Sequence, residues 1–428
     1  MSPPDCAILW GVKLERKPVT KRIVDRPGRK NVATRKVLLL IGAGANRIGG
    51  VELFVREAAM QLKERGVDTI AAFQTEPAPI VRSLFDVEGL AVTSTPDLSH
   101  STWSWNAGVR SLIKQYRPDI VHWHFLDAVS PYPWLSWWYG AKQVFFTNHS
   151  SYAEGYSPGH VPSWKRFTAR LINWPLNAVF CVSDYSKDVI IASGKLDPSR
   201  VHRIYNAVSL PCLQGTVERA RNFRRTYGIP DKAPVIVQVS WLIPEKGLED
   251  LLAAARLVLN QYPDARFVIA GEGPDQAKLE NLAAELGISS SVIWTGFLEN
   301  PTQCGLFDAA DITCQLSRWE EAFGYVIAEG MSFAKPVVAT SVGGIPEVVA
   351  HEKTGLISPR RDPAAAAQNI CRLLADPRLR HKFGQAGRQM VEEKFNVVDR
   401  VRELLRFYDI PAERKIEQVE APKKVQNA

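Results

Sequence analysis

The chain is poor in cysteine, and no two cysteines are spaced to act together. Six of them, at positions 6, 181, 212, 304, 314 and 371, make no C-x-x-C pair and no metal-ligand spacing. That pattern excludes a zinc ribbon or an iron–sulfur cluster and predicts buried thiols in a reducing compartment. There is no uninterrupted run of about 18 apolar residues, so no spanning helix is expected. The N-terminal segment has no apolar stretch of signal-peptide length. Gly42-Ala-Gly44 does not complete a dinucleotide fingerprint, because Arg47 stands where the third glycine belongs, which discounts an NAD site. Charge is also scarce on the body of the chain. The formal net charge is +8, but residues 1–36 hold ten Lys/Arg against three Asp/Glu, so the remainder is nearly neutral. A nucleic-acid enzyme would carry its charge on the folded body, and no nucleic-acid partner is expected. The basic N-terminal segment suits a solvated tail, or a contact with anionic lipid. The expected location is therefore cytoplasmic, with peripheral contact at the inner face of the plasma membrane as the further option.

What is present points to a large soluble α/β protein. At 428 residues, with 46% hydrophobic and 23% charged side chains, the chain is too long for one ordinary core, and two domains are expected. Val37–Ile41 is a continuous apolar run, as in a strand buried on both faces. It is followed by glycines, an amphipathic stretch from Val51 to Arg65, and strands at Thr69–Phe73, Asp119–His124, Gln143–Thr147 and Ala178–Ser183. The pattern restarts with strands at Val235–Val239, Arg266–Ala270, Val292–Trp294 and Pro336–Thr340, and helices at Gly247–Asn260 and Asp275–Glu285. Alternation of this kind implies parallel sheets covered by helices on both faces, with ligands outside the carboxyl ends of the strands. The expected organisation is a basic tail over 1–34, a first doubly wound domain over 35–207 and a second over 208–390. A helical segment over 391–412 and a polar, disordered tail over 413–428 complete it.

The chemistry concentrates in Glu321-Ala-Phe-Gly-Tyr-Val-Ile-Ala-Glu329, then Pro336–Thr340 and Gly343-Gly-Ile-Pro-Glu347. Two carboxylates sit eight positions apart in apolar or glycine surroundings, and a buried carboxylate is costly unless something bonds it. With nothing basic between them, a hydroxyl-rich ligand is a natural partner for Glu321 and Glu329. Phe323, Gly324 and Tyr325 can open a helix with free backbone N–H groups, which is an anion site. Lys246, in Pro-Glu-Lys-Gly after the Val235 strand, is misplaced for the helix dipole unless a diphosphate lies between them. Gly49 and Gly50, between a strand and a helix, allow close backbone approach to a phosphate. Gly271 and Gly296 end strands in tight turns, either beside a nucleotide or as plain turns. His122 and His124 share one face of their strand, but no carboxylate or cysteine completes a metal set. Eight of the twelve tryptophans fall within 103–174, a residue type favoured against sugar faces and at membrane interfaces.

The segment Ser317-Arg-Trp, Glu-x7-Glu, Lys-Pro-Val-Val-Ala-Thr and Gly-Gly-Ile-Pro-Glu resembles the donor site of retaining glycosyltransferases of family 4, which have the GT-B fold. The likeness spans roughly residues 36–410. It implies two Rossmann-like domains facing a deep cleft, with Val397–Tyr408 crossing back onto the first domain. It implies transfer of a hexose from UDP or GDP to a hydroxyl acceptor, glycan, lipid-linked sugar or small molecule, with retained configuration and without metal or other cofactor. Glu321, His149 and Lys246 would be the catalytic set. Gly49, Gly50, Lys246, Gly271, Gly296, Phe323, Gly324, Tyr325 and Glu329 would hold the donor. His124, Trp137 and Trp138 would line the acceptor side. Trp241 stands where the family has an arginine, and a cation is then needed from Arg318, Arg47 or elsewhere. A phosphorylase or epimerase on this fold, or a sugar-nucleotide-binding scaffold, are the alternatives.

Overall fold

The computed structural model describes residues 35–95, 102–125, 130–159 and 161–410, so the expected tails at 1–34 and 413–428 lie outside it. Two all-parallel sheets organise the described chain. The first contains β1 (Arg35–Ile41), β2 (Val67–Phe73), β3 (Leu90–Ser94), β4 (Ile120–His124), β5 (Gln143–Asn148), β6 (Ala178–Cys181) and β7 (Val201–Arg203). Their order is β3-β2-β1-β4-β5-β6-β7. The second contains β8 (Val235–Val239), β9 (Arg266–Ala270), β10 (Val292–Gly296), β11 (Ile312–Gln315), β12 (Val337–Thr340) and β13 (Gly355–Ser358), in the order β10-β9-β8-β11-β12-β13. In each sheet the winding reverses beside the first strand, between β1 and β4 and between β8 and β11. Those two switch points are where a doubly wound sheet leaves a crevice.

The apolar runs become central strands because both of their faces are covered. Val37, Leu39 and Ile41 enter one core layer and Leu38 and Leu40 the other, the two-residue alternation of an extended chain. In the second sheet Ile236 faces one layer, and Val235, Val237 and Val239 face the other. Burial on both sides favours β-branched and leucine side chains throughout these strands.

The helix Val397–Phe407 packs Val401, Leu404 and Leu405 into a core layer of the first sheet, with Tyr408 behind them. Just before it, Val208 and Asn396 pair in parallel, so the segments linking the two halves run side by side. The sequence pattern omits four strands. β3 and β7 are edge strands. β11 reads Ile-Thr-Cys-Gln, with a fully buried Thr313 where an apolar residue is expected. β13 opens on Gly355, whose missing Cβ lets the chain lie against the Val337 carbonyl. Contrary to the expectation of buried thiols, Cys212 is exposed.

Candidate active site

Both switch points open into one cleft. On the second-sheet side, the loop after β11 carries Ser317, Trp319 and Glu321, and the loop after β8 carries Lys246. Gly247 adopts a left-handed φ of 64° and lies so close to the Leu316 carbonyl that no side chain fits there. This fixes the two loops against each other. Lys246 Nζ reaches Glu321 Oε1 at 2.7 Å; Ser317 Oγ and Trp319 Nε1 donate to the same oxygen at 2.6 and 3.2 Å. Lys246 also lies over the Trp319 ring, 4.9 Å from its centroid. Burial alone would raise the Glu321 pKa, but the ammonium and the two donors outweigh it and hold the carboxylate below its usual range.

Gly324, at φ 101°, turns the chain into the helix Tyr325–Ser332 without a capping side chain. The amides of Tyr325 and Val326 thus open a helix whose dipole favours an anion. Glu329 lies one turn further along. It retains some surface exposure and accepts no hydrogen bond through its carboxylate among the described residues. Burial pushes its pKa up to about 7, with only the nearby Arg47 opposing. The two glutamates that look alike in sequence therefore differ: one is bonded and charged, the other is unpartnered and half neutral near pH 7.

On the first-sheet side, the loop after β1 brings Gly49 and Gly50 to the start of the helix Gly50–Glu64. The Gly49 N–H donates to Glu52 Oε2 at 3.0 Å, closing that helix N-terminus. Gly50 lies against the Tyr325 ring, and a methyl group there would overlap it. The Ile48 N–H donates to the Glu299 carbonyl at 3.0 Å. The glycine turn therefore touches the second half across the cleft. At the ends of β4 and β5, His124 Nδ1 and His149 Nε2 are 3.2 Å apart, and His149 stacks on Phe125 at 4.0 Å. Burial and the neighbouring ring keep His149 well below the usual imidazole range, and burial lowers His124 to about 3, so both are neutral at pH 7. Each keeps one buried ring nitrogen without a partner, Nδ1 of His149 and Nε2 of His124. His122 is tied to Tyr408 and Thr147 at 2.6 and 2.7 Å, which is a structural role. His124, His149 and Tyr325 line a small cavity of about 40 Å³, together with Asn206 and Ala207 of the segment that links the two halves.

The structure therefore brings Lys246 to Glu321, Gly50 to Tyr325 and His124 to His149, and places His124, His149 and Tyr325 around one cavity. Gly271 (φ 141°) ends β9 against the Ser240 carbonyl, and its N–H donates to Gly296 O at 2.9 Å, so these two glycines set the floor behind the Lys246 loop. Trp137 and Trp138 are apart from this group. They lie on the helix Tyr132–Trp138, 47% and 76% exposed, and the ring partners of Trp137 are Trp134 and Trp174. Arg318 is not a free cation. Its guanidinium bonds Asp250 at 2.7 and 2.8 Å and Glu249 at 2.7 Å. Trp241 is 60% exposed. Arg47 is exposed and close enough to Glu329 to oppose the rise in its pKa.

Residue-type reasoning missed the ties between the halves. Glu320 and Tyr152 exchange backbone hydrogen bonds at 2.8 and 2.9 Å. The Glu320 carboxylate accepts from Arg360, from the Gly155 amide and from the Gly343 amide. Glu347 accepts from the Asp184 and Tyr185 amides at 2.7 and 2.8 Å, an anion at the start of the helix Asp184–Ser193. The signal lay in Gly-Gly-Ile-Pro-Glu347, where a carboxylate follows glycines that must pass under a loop. At Gly343 (φ 51°) a Cβ would strike the Glu321 carbonyl.

Comparison with known proteins agrees with this architecture. The family model for glycosyl transferases group 1 matches residues 220–390, and that for glycosyltransferase family 4 matches residues 48–210. An uncharacterized glycosyltransferase of Methanocaldococcus jannaschii is 31% identical over 238 residues, covering 55% of this chain and 60% of its own length. The chain thus spans about 60% of the length of that relative. A GDP-mannose-dependent monoacylated alpha-(1-6)-phosphatidylinositol monomannoside mannosyltransferase of Corynebacterium glutamicum is 26% identical, covering 85% of this chain and 95% of its own. Among solved structures, Anabaena HepE in complex with UDP-glucose superposes with a TM-score of 0.69 at 19% identity, over 87% of this chain and 99% of its own, a likeness of fold. With the two family models matching complementary stretches and the two switch-point sheets meeting at one cleft, the chain belongs to the family 4, group 1 glycosyltransferases and has the two-domain GT-B fold.

Proposed function

We propose that this protein transfers a hexose from a nucleoside diphosphate sugar, UDP- or GDP-linked, to a hydroxyl acceptor with retention of anomeric configuration. One observation carries the reading. The short segment that opens the uncapped helix at Tyr325 is bracketed by Glu321, bonded to Lys246, and Glu329, beside Arg47, which supports a diphosphate lying among these groups. Lys246, the Tyr325 and Val326 amides and Arg47 would stabilise the leaving diphosphate. Glu329 would accept from ribose hydroxyls. Glu321 would exchange its bond to Lys246 for sugar hydroxyls as the ammonium turns to phosphate. His149 would offer its unpartnered nitrogen to the sugar, and His124 would line the acceptor side. Trp137 and Trp138 would meet a carbohydrate or lipid-linked acceptor at the surface. Among the described residues no side chain stands as an obvious covalent nucleophile, which favours same-face attack assisted by the leaving phosphate over double displacement. The named lipid acceptor of the corynebacterial relative supports a lipid-linked acceptor.

The test is a proton NMR time course of the purified protein with UDP- and GDP-hexoses, water serving as a slow acceptor. The expected first product is the free sugar in the donor's own anomeric form. Initial release of the opposite anomer would contradict retention. Sugar 1-phosphate formed on adding inorganic phosphate would indicate a phosphorylase. Binding without any turnover would favour the scaffold reading, which the exposed Trp241 motivates.

A further inference from the structure

Of the fifteen exposed large apolar side chains among the described residues, eight lie within positions 134–174, so exposure is concentrated rather than scattered. The helix Ser163–Ile172 is built inside out. Its one buried residue is Ala169, while Trp164, Phe167 and Leu171 are 64%, 63% and 49% exposed. At 100° per residue these three share the side of the helix opposite Ala169. Trp174, 56% exposed, continues the face beyond the helix end. There it stacks on Trp134 at 5.7 Å and meets Trp137 edge-on at 6.4 Å, and Trp134 Nε1 donates to the Leu171 carbonyl at 3.0 Å. These contacts join the two helices into one aromatic surface, with Trp138 at its border. The charge around it has one sign. Exposed Lys165 and Arg170 flank the apolar face, Lys165 lies 5.4 Å from the Trp164 ring, and no Asp or Glu occurs between 155 and 183.

We infer that this face docks the protein on a bilayer rich in anionic headgroups. Tryptophan, with an apolar body and an N–H donor, suits the boundary between acyl chains and headgroups. An apolar face rimmed by Lys and Arg is the pattern of a helix lying in that boundary. A second copy of the chain fits less well, because a two-fold contact would set the cationic rim against itself. A sugar fits less well because, Thr168 apart, the face offers few groups to bond hydroxyls. The inference rests on the transferase reading only for its purpose, which is to hold the cleft near a lipid-linked acceptor; docking itself is tested without any donor.

The experiment is flotation of the full chain with phosphatidylcholine vesicles and with equal mixtures of phosphatidylcholine and phosphatidylglycerol, at low and high salt. The expected result is co-flotation with the anionic vesicles only, weakened by salt, and reduced about tenfold or more in Trp164→Ser/Phe167→Ser. Lys165→Glu/Arg170→Glu is expected to abolish the preference for the anionic mixture. These side chains are exposed, so both variants should keep the wild-type melting temperature. Absence of wild-type flotation would overturn the inference. So would unchanged flotation of Trp164→Ser/Phe167→Ser, which would move lipid contact to another part of the chain. A lipid-free dimer that the same substitutions convert to monomer would assign the face to self-association and overturn it too.

Discussion

The two walls of the cleft are built on different principles. The second-sheet wall is a bonded charged network, Lys246–Glu321–Ser317–Trp319, on loops held by glycines that tolerate no side chain. The first-sheet wall offers a glycine turn and two neutral histidines, each with an unpartnered buried nitrogen. The former is preorganised around its own partners, and the latter is completed only by contact with something else. A site of this kind takes its charge stabilisation from one wall and its closure from the other.

Lys246→Ala should break the difference most severely. Transfer is expected to fall about 10²–10³-fold. Glu321, left buried beside two neutral donors, should cost about 3–5 kcal/mol of stability. Adding Glu321→Gln should restore most of that stability without restoring transfer, as melting curves and initial rates would show. Recovered activity in the double variant would mean that Lys246 serves only the fold. Gly50→Ala tests the other wall. Its methyl must push Tyr325 aside, so kcat/KM should fall about 10–100-fold while the melting temperature barely moves, and Tyr325→Ala in the same chain should recover part of the loss.

Arg47→Ala should weaken nucleotide binding by about tenfold in a calorimetric titration, the scale of one charge-assisted contact. Trp241→Arg should return part of that affinity in the Arg47→Ala background. The smallest effect expected is a pH dependence. Because burial raises Glu329 to about 7 in the folded protein, the folded state binds the extra proton and wild type loses stability as pH climbs through 7. Glu329→Gln carries no such penalty. Its apparent melting temperature should exceed wild type by about 2–4 °C at pH 8, and the gap should close toward pH 5. A constant gap would mean that Glu329 does not titrate there.

The same division decided what was legible in the sequence. Central strands such as Val37–Ile41 and Val235–Val239 declare themselves because burial on both faces leaves few residue choices. Lys246, Glu321, Gly324 and Glu329 were legible because charge or glycine in an apolar context needs an explanation. Their relation was not: the pairing of Lys246 with Glu321 spans 75 positions, and sequence spacing carries nothing about it. The ties made by Glu320 and Glu347 were hidden for the same reason, since across the halves they run to the backbone amides of Gly155, Asp184 and Tyr185. β11 escaped notice because its buried Thr313 and Gln315 break the apolar run. The tryptophan cluster was visible as composition, but its outward face needed the position of Ala169 to be seen.

The most direct measurement is a thermal-shift panel of UDP, GDP, ADP and their hexose conjugates on wild type, Glu329→Ala and Lys246→Ala. A ligand bound only by the folded state adds about 2.7 kcal/mol at a hundredfold excess over Kd. The expected result is stabilisation of wild type by one nucleotide family, diminished in both variants. No shift with any nucleotide, or a shift that survives both substitutions, would contradict a sugar-nucleotide site between the two walls.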